Sequence, residues 1–194
     1  MDKRRFLDQI LPVIAKKIEE HAKDLNIIGH FEPYDFPDHV LQSVQDKPYY
    51  SCLASFVDLF DIESVLEIGT CTGASALVMS KYAKKILTCD ITDQFFHDTS
   101  IFETNKIESF ISPNPEACLE LDFPSFDMIF VDVDHGGHWE KLIHEKIIDT
   151  GFSGLVFYDD ISLSQGMCDF WEGIMQEKLK TNWHYTSFGI VKYL

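Results

Sequence analysis

The residues of this chain best suited to chemistry stand where short apolar runs end. One run ends in Glu67-Ile68-Gly69-Thr70-Cys71-Thr72-Gly73, the next at Asp90, a later one in Asp132-Val133-Asp134-His135, and another in Asp159-Asp160. Glycines at Gly69 and Gly73 let the backbone turn tightly and let a ligand approach the helix that follows. An acid at the end of the second run, Asp90, can accept both hydroxyls of a ribose. Each feature has a plainer alternative. Gly69 and Gly73 suit an ordinary strand–helix turn, Asp90 and Asp132 suit helix caps, and Asp159-Asp160 suits a turn in an acid-rich chain. Four successive ends of this kind are hard to obtain from caps and turns alone. The glycine spacing narrows the ligand. A dinucleotide fingerprint needs G-x-G-x-x-G, and here Cys71 stands where the middle glycine would be. That pattern disfavours a pyrophosphate and suits a nucleoside without one. The Gly-Lys-Ser/Thr ending of a phosphate-binding loop is absent as well.

These groups must be positioned by the elements around them. From Ser64 onward, apolar runs alternate with helical stretches. SVLEIG, KILTCDI, IESFI, FDMIFVD, GLVFYDD, WHYTSF and GIVKYL read as strands. ASALVMSKYAKK, DQFFHDTSIFETN, NPEACLEL, HWEKLIHEKIID and QGMCDFWEGIMQEKLK read as helices. Such alternation predicts an α/β fold: a doubly wound, mostly parallel seven-stranded sheet covered on both faces. The last two strands have almost no connection and should close one edge as an antiparallel hairpin. In this architecture ligands bind beyond the carboxyl ends of the strands, where the four acidic turns lie.

The first part of the chain differs. Phe6, Ile10, Leu11, Ile14 and Ile18 recur at helical spacing, with Pro12 a kink or a delayed start. A Pro-punctuated stretch, HFEPYDFPDHV, follows, and then a helix from about Tyr49 to Phe60. Residues 1–48 are read as an N-terminal helical cap and 49–194 as the ligand-binding domain, the two forming one structural unit. The cap is too short for a core of its own.

Composition limits the partners. The 194 residues carry 32 acids against 16 bases, a formal charge of −16. Nucleic-acid binders usually present a basic face. Here the only dense basic spot is Lys3-Arg4-Arg5. Neither nucleic acid nor an acidic membrane is an expected partner, and a small molecule is. The five cysteines are scattered without a CxxC pair, which indicates reduced thiols rather than a disulfide framework or a zinc site. No apolar run reaches transmembrane length, and the N-terminus reads as a helix rather than a signal peptide. The expected location is cytoplasmic, and the helical N-terminal region is a surface through which a homodimer could form.

VLEIGTCTGASAL resembles the first motif of class I S-adenosylmethionine-dependent methyltransferases. It is most similar to the small O-methyltransferases of the catechol and caffeoyl-coenzyme A types. FDMIFVDVDH resembles their fourth-strand motif and GLVFYDD their fifth. The D-x-D-H form and the ending SFGIVKYL are similar to the branch called class 24. The resemblance covers the chain from about Tyr49 to its end. It implies a Rossmann-like methyltransferase fold with S-adenosylmethionine as cofactor. Glu67, Gly69, Thr70 and Ser75 would lie along the methionine part, Gly73 would shape the turn, and Asp90 would hold the ribose. Glu116 and Ala117 would lie near the adenine, and Asp132 beside both cofactor and substrate. Asp132, Asp159 and Asp160 match the positions that hold a divalent cation, Mg²⁺ or Ca²⁺, in the metal-dependent members. The usual fifth-strand pair there is Asp-Asn, so Asp160 is more acidic than the pattern.

His135 departs from that pattern too. It occupies the place where plant-type members carry a lysine base. A histidine, with an ordinary pKa of roughly 6.5, can do the same work near neutrality. The alternative is that it orients the cofactor or caps the next helix. The implied activity is O-methylation of a small-molecule hydroxyl, with the cation gripping two neighbouring substrate oxygens and His135 and Asp132 as the catalytic pair. Two alternatives stay open: another enzyme class on the same fold, and a non-catalytic cofactor-binding protein. Among the aromatics, Tyr49, Tyr50, Phe56, Trp139, Phe170, Trp171, Trp183 and Tyr185 are candidates for an acceptor pocket, with Phe170-Trp171 foremost.

Overall fold

The computed structural model describes residues 5–96, 98–104 and 106–194. Lys3 and Arg4 of the basic terminus lie outside them. Seven strands form one sheet: β1 (Ser64–Ile68), β2 (Lys85–Asp90), β3 (Ile107–Ile111), β4 (Met128–Val131), β5 (Gly154–Tyr158), β6 (Glu177–Thr181) and β7 (Phe188–Tyr193), in the order β3-β2-β1-β4-β5-β7-β6. The first five pair in parallel, and β7 runs antiparallel to both β5 and β6. The order reverses between β1 and β4, so a crevice opens at their carboxyl ends. This is the doubly wound, mostly parallel sheet with an antiparallel C-terminal hairpin that the strand–helix alternation predicts.

Side-chain alternation along the strands builds two cores. Val65, Met128, Phe130, Leu155, Phe157, Phe188 and Ile190 face one side. There they meet helices α1 (Leu11–Ala22), α2 (Asp38–Asp46), α3 (Pro48–Leu59) and α4 (Ala74–Ser80). Leu66, Ile129, Val131, Val156, Tyr158 and Val191 face the other side, against Ile143 and Ile147 of α6 (His138–Asp149) and Met167 of α7 (Gln165–Gly173). A short α5 (Ser100–Thr104) precedes β3. The N-terminal residues Phe6, Leu11, Ile14 and Ile18 belong to the same continuous core as the sheet. Ile10, at the N-cap of α1, is exposed instead, and Pro12 sits in the helix's first turn, so it starts the helix rather than kinking it.

The structure corrects the sequence reading at the chain's end. The predicted helix over QGMCDFWEGIMQEKLK stops at Gly173, and its second half is the edge strand β6. Lys178 Nζ reaches back to the carbonyls of Trp171, Glu172 and Ile174 at 2.5, 3.1 and 2.8 Å and satisfies the helix end. Of the predicted strand WHYTSF, residues 183–187 are the turn that joins β6 to β7, and only Phe188 is extended, as the first residue of β7. The local pattern favours a helix here because the pairing that makes β6 a strand comes from β7. Elsewhere NPEACLEL forms a 3-10 helix over Pro115–Glu120, and α4 ends at Ser80, before the KYAKK tail of the predicted helix.

Candidate active site

Gly69 sits at φ +98° immediately after β1, and a Cβ there would lie 1.7 Å from the Asp132 carbonyl oxygen. Only glycine lets the turn pass this close to the end of β4. The turn is then fastened by Asp90 at the end of β2. Its Oδ2 accepts hydrogen bonds from the backbone N–H groups of Thr70 (2.9 Å) and Cys71 (2.8 Å). Its Oδ1 accepts from Ile91 N at 2.7 Å and, weakly, from Thr92 N at 3.4 Å. Cys71 adopts φ +45°, which a glycine at that position would adopt without strain.

Glu67 lies beneath this turn and is fully buried. Thr88 donates a short hydrogen bond to its Oε2, and the Thr88 hydroxyl also pairs with that of Thr70 at 2.5 Å. Among the described residues its Oε1 has no hydrogen-bond partner. Burial pushes the carboxyl up to about 7, helped by the charge of Asp90, while hydrogen bonds from Ser75 and Thr88 pull it down. A carboxyl raised in the folded state binds its proton more tightly there than in the unfolded chain. Its contribution to stability is therefore complete below about pH 4.5 and lost as the pH rises to about 7 and beyond. Glu67→Gln should remove this dependence. Urea unfolding at pH 5 and pH 8 should show the wild type losing on the order of 3 kcal/mol more than the variant across that interval. Parallel pH profiles for the two proteins would contradict the assignment.

The ends of β4 and β5 carry the second half of the site. Asp132 is partly exposed and follows β4. Burial, then the carboxylates of Asp159, Asp160 and Glu67, push its carboxyl well above the usual range. His135 is held at φ +57°, with its N–H on Glu140 Oε1 at 2.9 Å and its carbonyl accepting from the Ser164 hydroxyl at 2.7 Å. Its Nε2 lies 3.5 Å from Asp132 Oδ1 and 3.6 Å from Asp160 Oδ2, so the ring stands between the two acids. Left-handed conformations at Cys71, His135 and Asp160 all fall at the carboxyl edge of the sheet. For residues other than glycine each costs about 1–3 kcal/mol, and such strain concentrates at functional sites.

Asp159 and Asp160 meet a residue for which the sequence reading assigned no role. His184 Nδ1 lies 2.9 Å from Asp159 Oδ1 and 2.8 Å from Asp160 Oδ1. The Thr186 hydroxyl donates to Asp160 Oδ1 as well. Burial works to lower the His184 pKa, but the hydrogen bonds and charges of the two acids outweigh it and hold the imidazole at about 9. Asp160 is held below the usual carboxylate range: burial opposes this, but His184, Thr186 and His135 prevail. His184 comes from the turn between β6 and β7, so no local motif ties it to the acids. Its only signal in the sequence is a histidine near the last strand.

A cavity of about 460 Å³ opens between these two halves. Gly69, Cys71 and Asp90 line it from one side, Asp132, Val133, Asp134 and Trp139 from the other, and Phe110, Asn114, Pro115 and Cys118 at its far end. Of the residues singled out for a cofactor, Gly69, Asp90 and Asp132 line the cavity. Glu67, Thr70, Gly73 and Ser75 stand behind the lining and shape the turn. Glu116 and Ala117 occupy the 3-10 helix whose neighbours Pro115 and Cys118 do face it. Of the aromatic candidates, Trp139 is at the cavity wall. Phe170 and Trp171 pack into the core behind the sheet instead. Among the described residues, no helix is long and apolar enough to cross a membrane.

No protein-family model matches the chain, and no curated protein matches it. Solved structures do. The methyltransferase PaMTH1 of Podospora anserina, crystallised with S-adenosylhomocysteine, superposes with a TM-score of 0.68 at 17% identity over 96% of this chain and 97% of its own. An O-methyltransferase of Bacillus cereus in complex with S-adenosylhomocysteine gives 0.59 at 16% identity, covering 91% and 90% of the two chains. A putative caffeoyl-CoA O-methyltransferase of Staphylococcus aureus gives 0.61 at 14% identity, covering 94% and 100%. The chain therefore has the Rossmann-like fold of these methyltransferases across nearly its whole length.

Proposed function

We propose that this protein is an S-adenosylmethionine-dependent O-methyltransferase acting on a small-molecule hydroxyl, assisted by a divalent cation. The observation that carries the reading is the cavity between the Asp90-fastened glycine turn and Trp139, which is lined by Asp132, the carboxylate that also approaches His135. Its volume falls in the range of small-molecule sites. The likeness to structures crystallised with S-adenosylhomocysteine supports the same ligand here.

Each residue then has a task. Asp90 keeps its Oδ2 on the turn, and a ribose hydroxyl would replace the weak 3.4 Å contact of Thr92 N at Oδ1. The Trp139 ring offers a face for the adenine. The bound sulfonium cofactor supplies the methyl group. His135 is placed to take the proton of an acceptor hydroxyl, with Asp132 on one side and Asp160, whose carboxylate form is favoured, on the other to stabilise the imidazolium that forms. The residues also fit a cation. Asp159 and Asp160 are buried side by side, and among the described residues the only basic side chains within 4.0 Å of them are imidazoles. Asp159 and Asp160 would hold the ion, with Asp132 facing them across His135. A bound cation would lower the pKa of an acceptor hydroxyl. The charge of −16 supports a small acceptor rather than a nucleic acid.

Calorimetric titration with S-adenosylhomocysteine, with NAD as the control, tests this directly. We expect S-adenosylhomocysteine to bind and NAD not to. At about a hundred times its Kd it should stabilise the fold by roughly 2.7 kcal/mol, a rise of about 5–10 °C in Tm for a chain of this size. Binding of NAD and not S-adenosylhomocysteine would replace the reading with a nicotinamide enzyme. Binding of neither would remove the cofactor from it.

A further inference from the structure

We infer that Asp159, Asp160 and His184 form a mixed oxygen–nitrogen metal site, and that the imidazole makes it select a first-row transition dication over Mg²⁺ or Ca²⁺. This deepens the cation-assisted reading above and rests on it for its place in catalysis, but not for the binding itself.

One ligand atom from each of the three side chains lies within 4.8 Å of the others. The His184 Nδ1 separations from the two acids, 2.9 and 2.8 Å, are also the spacing of neighbouring ligands around an octahedral ion. With bonds of about 2.0–2.1 Å, that spacing is about 2.9 Å. The donors therefore need little movement to close on an ion. They are also held in place. The His184 side chain is 2% exposed, and its ring packs 5.5 Å from that of Tyr49 and 4.3 Å from that of Tyr185. Its carbonyl accepts from Ser187 N at 2.9 Å. Asp132 is not part of this tight set, because the His135 ring stands between it and Asp160.

Donor chemistry sets the preference. Mg²⁺ and Ca²⁺ favour all-oxygen sites, whereas an imidazole suits the later transition ions. A metal-bound imidazole usually donates its other N–H to an acceptor, and the loss of such a partner weakens binding by about 10–100-fold. Among the described residues His184 Nε2 has no hydrogen-bond partner. The site should therefore bind its ion moderately and exchangeably rather than as a permanent structural centre.

The test uses the full chain stripped of metal and titrated with Co²⁺, Mn²⁺, Mg²⁺ and Ca²⁺ by calorimetry, with pulsed EPR of the Mn²⁺ complex to detect nitrogen coupling. We expect Co²⁺ to bind at least about 10-fold tighter than Mg²⁺, and Mn²⁺ to show imidazole nitrogen. His184→Asn should weaken Co²⁺ by about 100-fold, collapse the Co²⁺/Mg²⁺ ratio and abolish the nitrogen signal. His135→Ala should retain that signal, which separates the two histidines. His184→Gln repeats the test should the Asn variant misfold by circular dichroism. Ion binding without nitrogen coupling, or with a ratio indifferent to His184, overturns the proposal, as does failure of every ion to bind at millimolar concentration. Titration with S-adenosylhomocysteine is run on the same proteins. Nitrogen-coupled metal binding without it would leave this site standing and remove the methyltransferase reading.

Discussion

Gly69→Ala is expected to lose at least about 4 kcal/mol of folding stability and all measurable S-adenosylhomocysteine binding. The added Cβ would lie 1.7 Å from the Asp132 carbonyl oxygen, and that atom is backbone, so it cannot rotate away. The two strand ends cannot easily part either. Asp132 N is bonded to the Ile68 carbonyl at 2.8 Å, and Gly69 N to that of Cys89 at 2.8 Å. Moving Asp132 outward strains the pairing of β1 with β4, the switch point on which the crevice depends. The φ of +98° adds a further penalty for any side chain. Domains of this kind hold only about 5–15 kcal/mol in total, so the variant stands near the threshold of unfolding. Urea denaturation measures the loss. A deficit under about 1 kcal/mol would show that the turn relaxes and that the close approach is not what sets the site.

Asp90→Ala is expected to weaken S-adenosylhomocysteine binding at least 100-fold and to destabilise the fold by about 1–3 kcal/mol. Two effects combine. The turn loses the acceptor that holds Thr70 N and Cys71 N; the stranded Thr70 N–H costs about 1–3 kcal/mol, while the exposed Cys71 N–H can turn to water. On the proposed reading, the ligand also loses a charged acceptor for its ribose, worth about 1.5–3 kcal/mol per hydrogen bond. Asp90→Asn separates the two. An amide oxygen can stay on the turn, while the amide nitrogen on the other side cannot accept from a hydroxyl. That variant should keep most of its stability and still bind about 10–100-fold more weakly. If it bound S-adenosylhomocysteine as tightly as the wild type, Asp90 would be a structural clasp and not a ribose ligand.

Particular residues show how far the sequence could be read. SVLEI, KILTCD and GLVFY are short, apolar runs that are buried on both faces, and a run of that kind has few alternatives to a central parallel strand. The glycine spacing and the acids at the strand ends were legible for the same local reason, since tight turns and caps are made by neighbours in the chain. The helix of His138–Asp149 carries its own start signal, with Gly137 before it and Glu140 reaching back to Gly137 N at 2.9 Å. Where an element depends on a distant partner, local reading fails. EKLKT looks helical until β7 supplies its hydrogen bonds, and WHYTS looks extended although it forms the turn between them.

The same division holds at the site. The sequence alone determined the five parallel strands and the carboxylates placed at their ends, because periodicity, glycine geometry and helix signals act over a few residues. Tertiary structure alone decided which of those groups meet. It set the His135 ring between Asp132 and Asp160, and brought His184 from 25 residues beyond Asp159 to within hydrogen-bonding distance of it. It also buried Phe170 and Trp171 behind the sheet while leaving Trp139 on the cavity wall. Distances of this kind come from how a twisted sheet and its covering helices pack, and packing is a property of the whole chain rather than of any segment.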